Sequence, residues 1–439
     1  MSKKSSKRIA LTADAKNLIP GGNSLLSKRA EMFAPDQWPN YFQSAKGIEV
    51  IDIDGNAYKD FSHFGVGTNT LGYGNLEVDN AVRGCIDMGN MCTLNPPEEV
   101  YLAKKLISMH PWSSMARFAR TGGEANAIAV RIARNYNQKN VIAFCGYHGW
   151  HDWYLAANIE SSSNLDKQLL SGLSARGVPS ALEGSVKPFM HGDLEGLESI
   201  LESGDVAAVK MEVMRSNEPE PGYLDAIRQL TNKYNCLLIF DECTSGFRES
   251  FGGLHLKYGV KPDIAIFGKT LGNGYAISSV IGTKEVMSEA QNTFISSTFF
   301  TERIGFVAAC KALEEIEKNK SWEHITKLGK LYKKKLDKLF SQSHFKYEIA
   351  GMDALASFVI HDEQWLEIKT YLIQEMLKNN YLTTNLFYPS LAHTEKDLAD
   401  FFKVFGGVFN TLAKHHKNKT PIKSLLDGSV CHSTFQRLN

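Results

Sequence analysis

Between about residue 75 and residue 300 the chain repeats one pattern, an apolar run of strand length followed by a turn and a helical periodicity. Residues 115–119 lead into Thr121-Gly122-Gly123 and a helical stretch over 126–135. Residues 141–145 lead into Gly146-Tyr147-His148-Gly149, and residues 206–213 and 236–240 are further apolar runs. Strands that are apolar at consecutive positions are buried on both faces, and strands alternating with helices build parallel sheets, because parallel neighbours need a crossover. The pattern predicts an α/β fold: a large domain with a mostly parallel sheet covered by helices.

The flanks read differently. Residues 48–54 and 57–61 are β-rich and surround Asp54-Gly55-Asn56, which predicts a hairpin. Beyond residue 300, residues 303–317 predict a helix that bridges two domains. Trp322, Ile325, Leu328, Tyr332, Leu336 and Leu339 recur at helical spacing with solvated lysines between them. A strand over 354–360 and helices over 363–378 and 395–413 complete a smaller α+β domain built from both chain ends. The expected divisions are 1–74, 75–302 and 303–439. Residues 159–188 are rich in Ser, Gly and Leu without periodicity, so they are expected as an active-site lid or a disordered loop. The Lys- and Ser-rich residues 1–8 precede no apolar stretch and read as a solvated tail.

Composition narrows the function. The net charge of +1 creates no field that would draw nucleic acid or an anionic membrane. No run of about 18 apolar residues spans a bilayer. Seven scattered cysteines without a C-x-x-C pair argue against a disulfide framework or zinc cluster, and for a reducing, cytoplasmic setting.

Four segments carry chemistry. The run Leu237–Phe240 ends in Asp241-Glu242, and in open parallel sheets ligands bind beyond the carboxyl ends of the strands. A carboxylate there needs a cationic or hydrogen-bonding partner; a capping or salt-bridged Asp satisfies that as well as a functional one. A second apolar run, Ile264–Phe267, ends in Gly268-Lys269, where desolvation frees a lysine amine as a nucleophile, unless it snorkels to the surface. Gly122 and Gly123 open a helix whose first N–H groups suit one phosphate; neither G-K-[ST] nor G-x-G-x-x-G is present, which counts against a triphosphate or a dinucleotide. Tyr147 stands where an aromatic stacks on a flat ring or packs at a rim. His148, His151 and Asp152 lack a third metal ligand at recognisable spacing, so no metal is expected.

In that order, phosphate cradle, ring stacker, buried acid and lysine, the residues resemble the class III, fold type I pyridoxal-phosphate aminotransferases, specifically the glutamate-1-semialdehyde 2,1-aminomutase-like branch. The resemblance runs from Ile19-Pro20-Gly21-Gly22-Asn23-Ser24 to Ser390-Leu391-Ala392-His393-Thr394. It implies pyridoxal 5'-phosphate, with Lys269 as the Schiff-base lysine and proton shuttle and Asp241 paired to the ring nitrogen. It implies Tyr147 on one ring face and Cys243, where the family usually has Val, on the other, with Gly122 and Gly123 on the phosphate. Glu212 matches the Glu of the family's Val-Glu-Pro, although Val213 follows it here. Thr298 matches a threonine that reaches the phosphate of a neighbouring subunit, which implies a homodimer with shared active sites.

Departures fall on the substrate contacts. Ser27 stands where the aminomutases carry an Arg, and Asn385-Leu386-Phe387-Tyr388-Pro389 lacks their Glu. Phe300-Thr301-Glu302-Arg303 replaces Gly-Asn-Pro; Arg303 is a candidate for a substrate anion or for a salt bridge with Glu302 or a neighbour. Ser27, Arg303 and His148 are the candidate substrate residues. The expected activity is transfer of an amino group from a small-molecule donor to a carbonyl acceptor. Variants reading Leu-Leu-Ser-Lys-Arg and Thr-Glu-Arg-Ile-Gly resemble those of surface-sugar pathways, hence a keto sugar. The alternatives are the intramolecular aminomutase, which needs a closing lid, and a scaffold that keeps only the fold.

Overall fold

The computed structural model describes residues 6–168, 171–214 and 216–433. Most of the expected tail, residues 1–5, and residues 169–170 of the expected lid lie outside the described residues. The chain forms two compact units, one of residues 76–323 and one of residues 1–75 with 324–439.

The larger unit is built on a seven-stranded sheet in the order Met115–Ala119, Ser278–Gly282, Ile264–Phe267, Leu237–Asp241, Val206–Met211, Val141–Cys145 and Val186–Pro188. Ser278–Gly282 is antiparallel to both neighbours and every other pairing is parallel. Six strands therefore run the same way and present their carboxyl ends along one edge. Five strands, Val141–Cys145, Val206–Met211, Leu237–Asp241, Ile264–Phe267 and Ser278–Gly282, are buried at every position. Side chains alternate between faces, so unbroken burial means both faces are covered. Pro188, which cannot donate to a ladder, sits on the edge strand.

The helix expected over 126–135 spans Gly122–Asn137. Its start is set by a capping box: Thr121 accepts the Glu124 N–H at 3.3 Å, and Glu124 Oε2 accepts the Thr121 N–H at 2.9 Å. The helix expected from residue 303 spans Arg303–Asn319 and belongs to the larger unit. Its buried residues include Phe306, Ala309, Leu313 and Ile316; the helix packs against Leu76–Met88 and Pro97–Met109, and Phe306 meets Phe118 of the first strand at 5.1 Å. The boundary thus falls after residue 323 and not at 302, because this helix's apolar face is spent on one unit.

The expected lid is more tied down than its composition suggests. Leu165 is fully buried, Asn158 accepts the Leu165 N–H at 2.9 Å and donates to the Leu173 carbonyl at 2.7 Å, and residues 186–188 become the sheet edge.

The smaller unit holds a sheet in the order Phe42–Lys46, Glu49–Asp52, Ala57–Phe61 and Tyr381–Thr383. The expected hairpin is its second and third strands, antiparallel, with Gly55 at φ +90° in the turn. The last strand pairs in parallel with Ala57–Phe61, so the two chain ends share one sheet. Helices Ser321–Phe340, Trp365–Lys378 and Glu395–Lys417 enclose an aromatic core in which Phe61 stacks on Phe401 at 4.5 Å and Phe340 meets Phe409 at 4.7 Å.

Candidate active site

Lys269 and Asp241 leave neighbouring parallel strands. Asp241 is the last residue of its strand, in register with Ile266, and Glu242 N–H extends the ladder to the Ile266 carbonyl at 2.8 Å. Lys269 follows two residues after the end of Ile264–Phe267, at φ +39°, a left-handed conformation that a non-glycine residue holds only under constraint from its surroundings. Its Nζ donates to Thr244 Oγ1 at 2.8 Å. Cys243 lies between two of the glycines: a Cβ on Gly122 would meet its Sγ at 3.1 Å, and one on Gly268 at 3.3 Å. Burial pushes the Cys243 thiol up, so it remains a thiol.

Asp241 is 3 % exposed, and such a carboxylate must be compensated. Its Oδ1 accepts the Cys243 N–H at 3.0 Å; its Oδ2 accepts His148 Nδ1 at 2.8 Å and pairs with Lys210 Nζ at 3.5 Å. Burial alone would raise its pKa, but the Lys210 ammonium and the His148 bond more than offset that and hold the carboxyl below its ordinary range. The pKa of His148 is lowered as well, by burial and by the charge on Lys210. A neutral ring has one proton, and the carboxylate is the stronger acceptor, so that proton sits on Nδ1.

Glu242 is buried in a separate network. It accepts from Ser245 Oγ, from the His255 N–H at 2.9 Å and from His255 Nδ1 at 2.8 Å. Trp112 Nε1 donates to His255 Nε2 at 2.9 Å; an indole N–H only donates, which fixes the His255 proton on Nδ1. The network holds the residue after Asp241 in place.

Gly122 and Gly123 form the first turn of the Gly122–Asn137 helix, where backbone N–H groups have no intrahelical acceptor. A Cβ on Gly123 would meet the His151 ring at 2.9 Å, and His151 Nδ1 is buried there without a hydrogen-bond partner among the described residues. Tyr147 follows Gly146, whose φ of +108° turns the chain sharply; a Cβ at Gly146 would lie 2.6 Å from Glu212 Oε2. Glu212 accepts the Tyr147 N–H at 3.2 Å and Gln168 Oε1 the Gly146 N–H at 2.7 Å, so backbone anchors aim the tyrosine. Thr298 opens an exposed turn, Thr298–Thr301, which Arg120 braces through the Phe300 and Glu302 carbonyls at 2.9 and 2.8 Å.

Two candidate substrate residues are committed elsewhere. His148 gives its Nδ1 to Asp241, and its Nε2 is covered by the Cys145 carbonyl 3.1 Å away rather than open to a substrate. Arg303 forms a two-pronged pair with Glu98, at 3.0 and 2.8 Å, and it is Arg120 that pairs with Glu302. Ser27 lies half-buried in the turn Leu26–Lys28 of the smaller unit.

A profile of the family described as aminotransferase class-III matches residues 33–394. The chain belongs to the class-III aminotransferases. This aminotransferase is 33 % identical over 411 residues to the 3-aminobutyryl-CoA aminotransferase of Cloacimonas acidaminovorans, covering 90 % of this chain and 95 % of that one. It is 29 % identical over 414 residues to the glutamate-1-semialdehyde 2,1-aminomutase of Methanococcoides burtonii, covering 88 % and 94 %. Its fold matches the FumI protein of a Sphingopyxis species, solved in its pyridoxal-phosphate internal aldimine form, with a TM-score of 0.84 at 21 % identity over 94 % and 98 % of the chains. The class-III aminotransferase is a pyridoxal-phosphate enzyme. Its residues fit that group. A buried carboxylate uses only part of its acceptor capacity on His148, Lys210 and a backbone N–H. The two glycines leave the backbone at a helix N-terminus without a Cβ, with an orphaned histidine nitrogen beside Gly123.

Sequence reasoning passed over Lys210, Thr244 and the pairing of His148 with Asp241. Lys210 left a signal, a charged residue inside a strand that is otherwise apolar and buried at every position.

Proposed function

We propose that this class-III aminotransferase runs an intermolecular amino transfer in which Lys269 carries the cofactor covalently and Asp241 faces its ring nitrogen. The observation behind the proposal is that Asp241 ends one strand and Lys269 follows the end of its parallel neighbour by two residues, both at the carboxyl edge of the sheet. Gly122 and Gly123 bind the phosphate through backbone N–H groups, with the helix dipole adding to the attraction. Tyr147 and Cys243 border the ring. Pyridoxal phosphate, when bound, supplies an electron sink for negative charge on the substrate carbon. The chain's own part is to hold and move protons: Lys269 Nζ, once released, takes the proton from the substrate carbon and returns it. Thr244 Oγ1 holds that amine. His148 holds Asp241 in its charged form.

Thr298, exposed on its turn, is proposed to reach the phosphate of a second copy, making a homodimer with shared sites. Seven cysteines without a disulfide support a reducing, cytoplasmic setting. No helix among the described residues is long and apolar enough to cross a membrane. Transfer is preferred over the aminomutase because the Arg and Glu of the mutase pattern are replaced at Ser27 and in Asn385–Pro389, and because the 33 % identical relative is an aminotransferase. The carbonyl acceptor is a keto sugar on the sequence resemblance, with a 3-oxoacyl thioester as the competitor suggested by that relative.

Borohydride reduction of the purified, coloured protein, followed by peptide mapping, tests the core of the proposal. The label belongs on Lys269; a label on Lys210 or no reducible chromophore refutes it. Incubation with an amino donor then separates the activities. Stoichiometric keto-acid release establishes transfer, and quantitative conversion of glutamate semialdehyde without a donor establishes the mutase.

A further inference from the structure

Lys210 is a lysine in the middle of a sheet. It is 0 % exposed, on the strand Val206–Met211, and among the described residues its only ion pair is with Asp241 Oδ2 at 3.5 Å. Its Nζ finds no properly directed hydrogen-bond acceptor among the described residues. The other groups that face it are Glu212, just past the end of its own strand, Cys243 after the neighbouring strand, and His148, which presses on the same carboxylate oxygen. An apolar side chain of equal length fills such a volume without the cost of desolvating an ammonium. The carboxylate carries one negative charge. On the proposed reading, two cations draw on it: the Lys210 ammonium, already present, and the protonated ring nitrogen of the cofactor.

We infer that Lys210 is a positioning residue that competes with the cofactor's ring nitrogen for Asp241, so that the proton on that nitrogen is held less firmly than Asp241 alone would hold it. The inference rests on the proposed placement of Asp241 at that nitrogen. Two like charges sharing one carboxylate a few ångströms apart, at an effective dielectric near 20, shift a titration by about two pH units. A ring whose proton is loosely held withdraws less charge from the substrate carbon. Lys210 thereby tempers the sink that Asp241 creates.

The test follows the ring nitrogen directly. Holoenzyme is loaded with cofactor labelled with 15N at that position, and its chemical shift is titrated with pH in the wild type, Lys210→Met, Lys210→Arg and Asp241→Asn. The wild-type midpoint is expected about two units below that of Lys210→Met, with Lys210→Arg, a permanent cation, at or below the wild type. Equal midpoints in the wild type and Lys210→Met overturn the inference, as does a wild-type nitrogen that stays fully protonated across the whole titration; that last result needs no variant to fold. If Asp241→Asn moves the midpoint and Lys210→Met does not, only this inference fails. If Asp241→Asn leaves it unmoved, the placement of Asp241 fails first.

Discussion

Asp241→Asn keeps the shape of the side chain and removes the charge that Lys210 leans on, so its effect on the apoprotein follows from one distance. At 3.5 Å and an effective dielectric near 20 the pair attracts by about 5 kcal/mol. Without that attraction a fully buried ammonium sheds its proton. For a lysine with an ordinary pKa near 10.4, neutralisation at pH 7 costs about 5 kcal/mol, which bounds the loss from above. The cost of breaking a buried pair is typically about 3–5 kcal/mol, and the same range is expected here. Burial already lowers the pKa of Lys210 in the wild type, and in the variant it falls further. The sign of the pH dependence follows. Between the depressed folded value and the ordinary unfolded value, the unfolded chain binds more protons, so stability rises with pH. The deficit of Asp241→Asn relative to the wild type should therefore shrink by up to about 1.4 kcal/mol for each pH unit from neutrality upward. Urea titrations of both apoproteins at neutral and alkaline pH measure it. Adding Lys210→Met to Asp241→Asn removes the orphaned amine and should recover most of the loss. A deficit below about 1 kcal/mol, or one that is flat with pH and unaffected by the second substitution, refutes the reasoning.

Lys269→Ala should bind the cofactor without the borohydride-reducible chromophore and lose turnover; a variant that is active and still reducible removes Lys269 from its proposed role. Gly123→Val places a branched side chain against the His151 ring and into the helix N-terminus, and is expected to weaken cofactor affinity at least about tenfold, read by equilibrium dialysis, with the far-ultraviolet circular dichroism unchanged. Trp112→Phe takes the donor from buried His255 Nε2 and should cost about 1–3 kcal/mol of apoprotein stability, measured by denaturation. Arg303→Ala breaks the pair with Glu98 and should lower the melting temperature while leaving the KM for the amino donor unchanged; a raised KM would return Arg303 to the substrate.

What could be read from the chain follows from how local each signal is. The strand ends that carry Asp241 and Lys269 were visible because each continuous apolar run stops abruptly at a charged residue. The helix after Gly122 was visible because two glycines precede a helical periodicity over 126–135, whereas the Thr121 and Glu124 capping box that sets its start emerged only in the structure. The partners of these residues were not visible, because pairing between distant elements has no sequence spacing: His148 meets Asp241 from 93 residues away, and Arg303, on one helix, meets Glu98, on another, from 205. The same holds for the unit boundary, since an amphipathic helix such as Arg303–Asn319 shows that it has an apolar face and not which neighbour will cover it. The segment 159–188 has no periodicity, yet single contacts made by Asn158, Leu165 and Gln168 anchor it, and such contacts leave no repeat to detect.

The antiparallel strand Ser278–Gly282 works as a spacer. It stands between Met115–Ala119, which delivers the Gly122 turn, and Ile264–Phe267, which delivers Lys269, and two ladder steps set those deliveries about 9.6 Å apart. Asp241 comes from the strand on the other side of the lysine's, one step away. Because the spacer runs backwards, it contributes its amino end to the shared edge, and there Ser278 Oγ donates to the Thr121 carbonyl at 2.8 Å, clamping the turn it holds at a distance. A residue with no proposed contact to any ligand thus sets the gauge of the site. Changes at Ser278 or in the register of its strand should loosen the grip on the phosphate before they disturb the lysine.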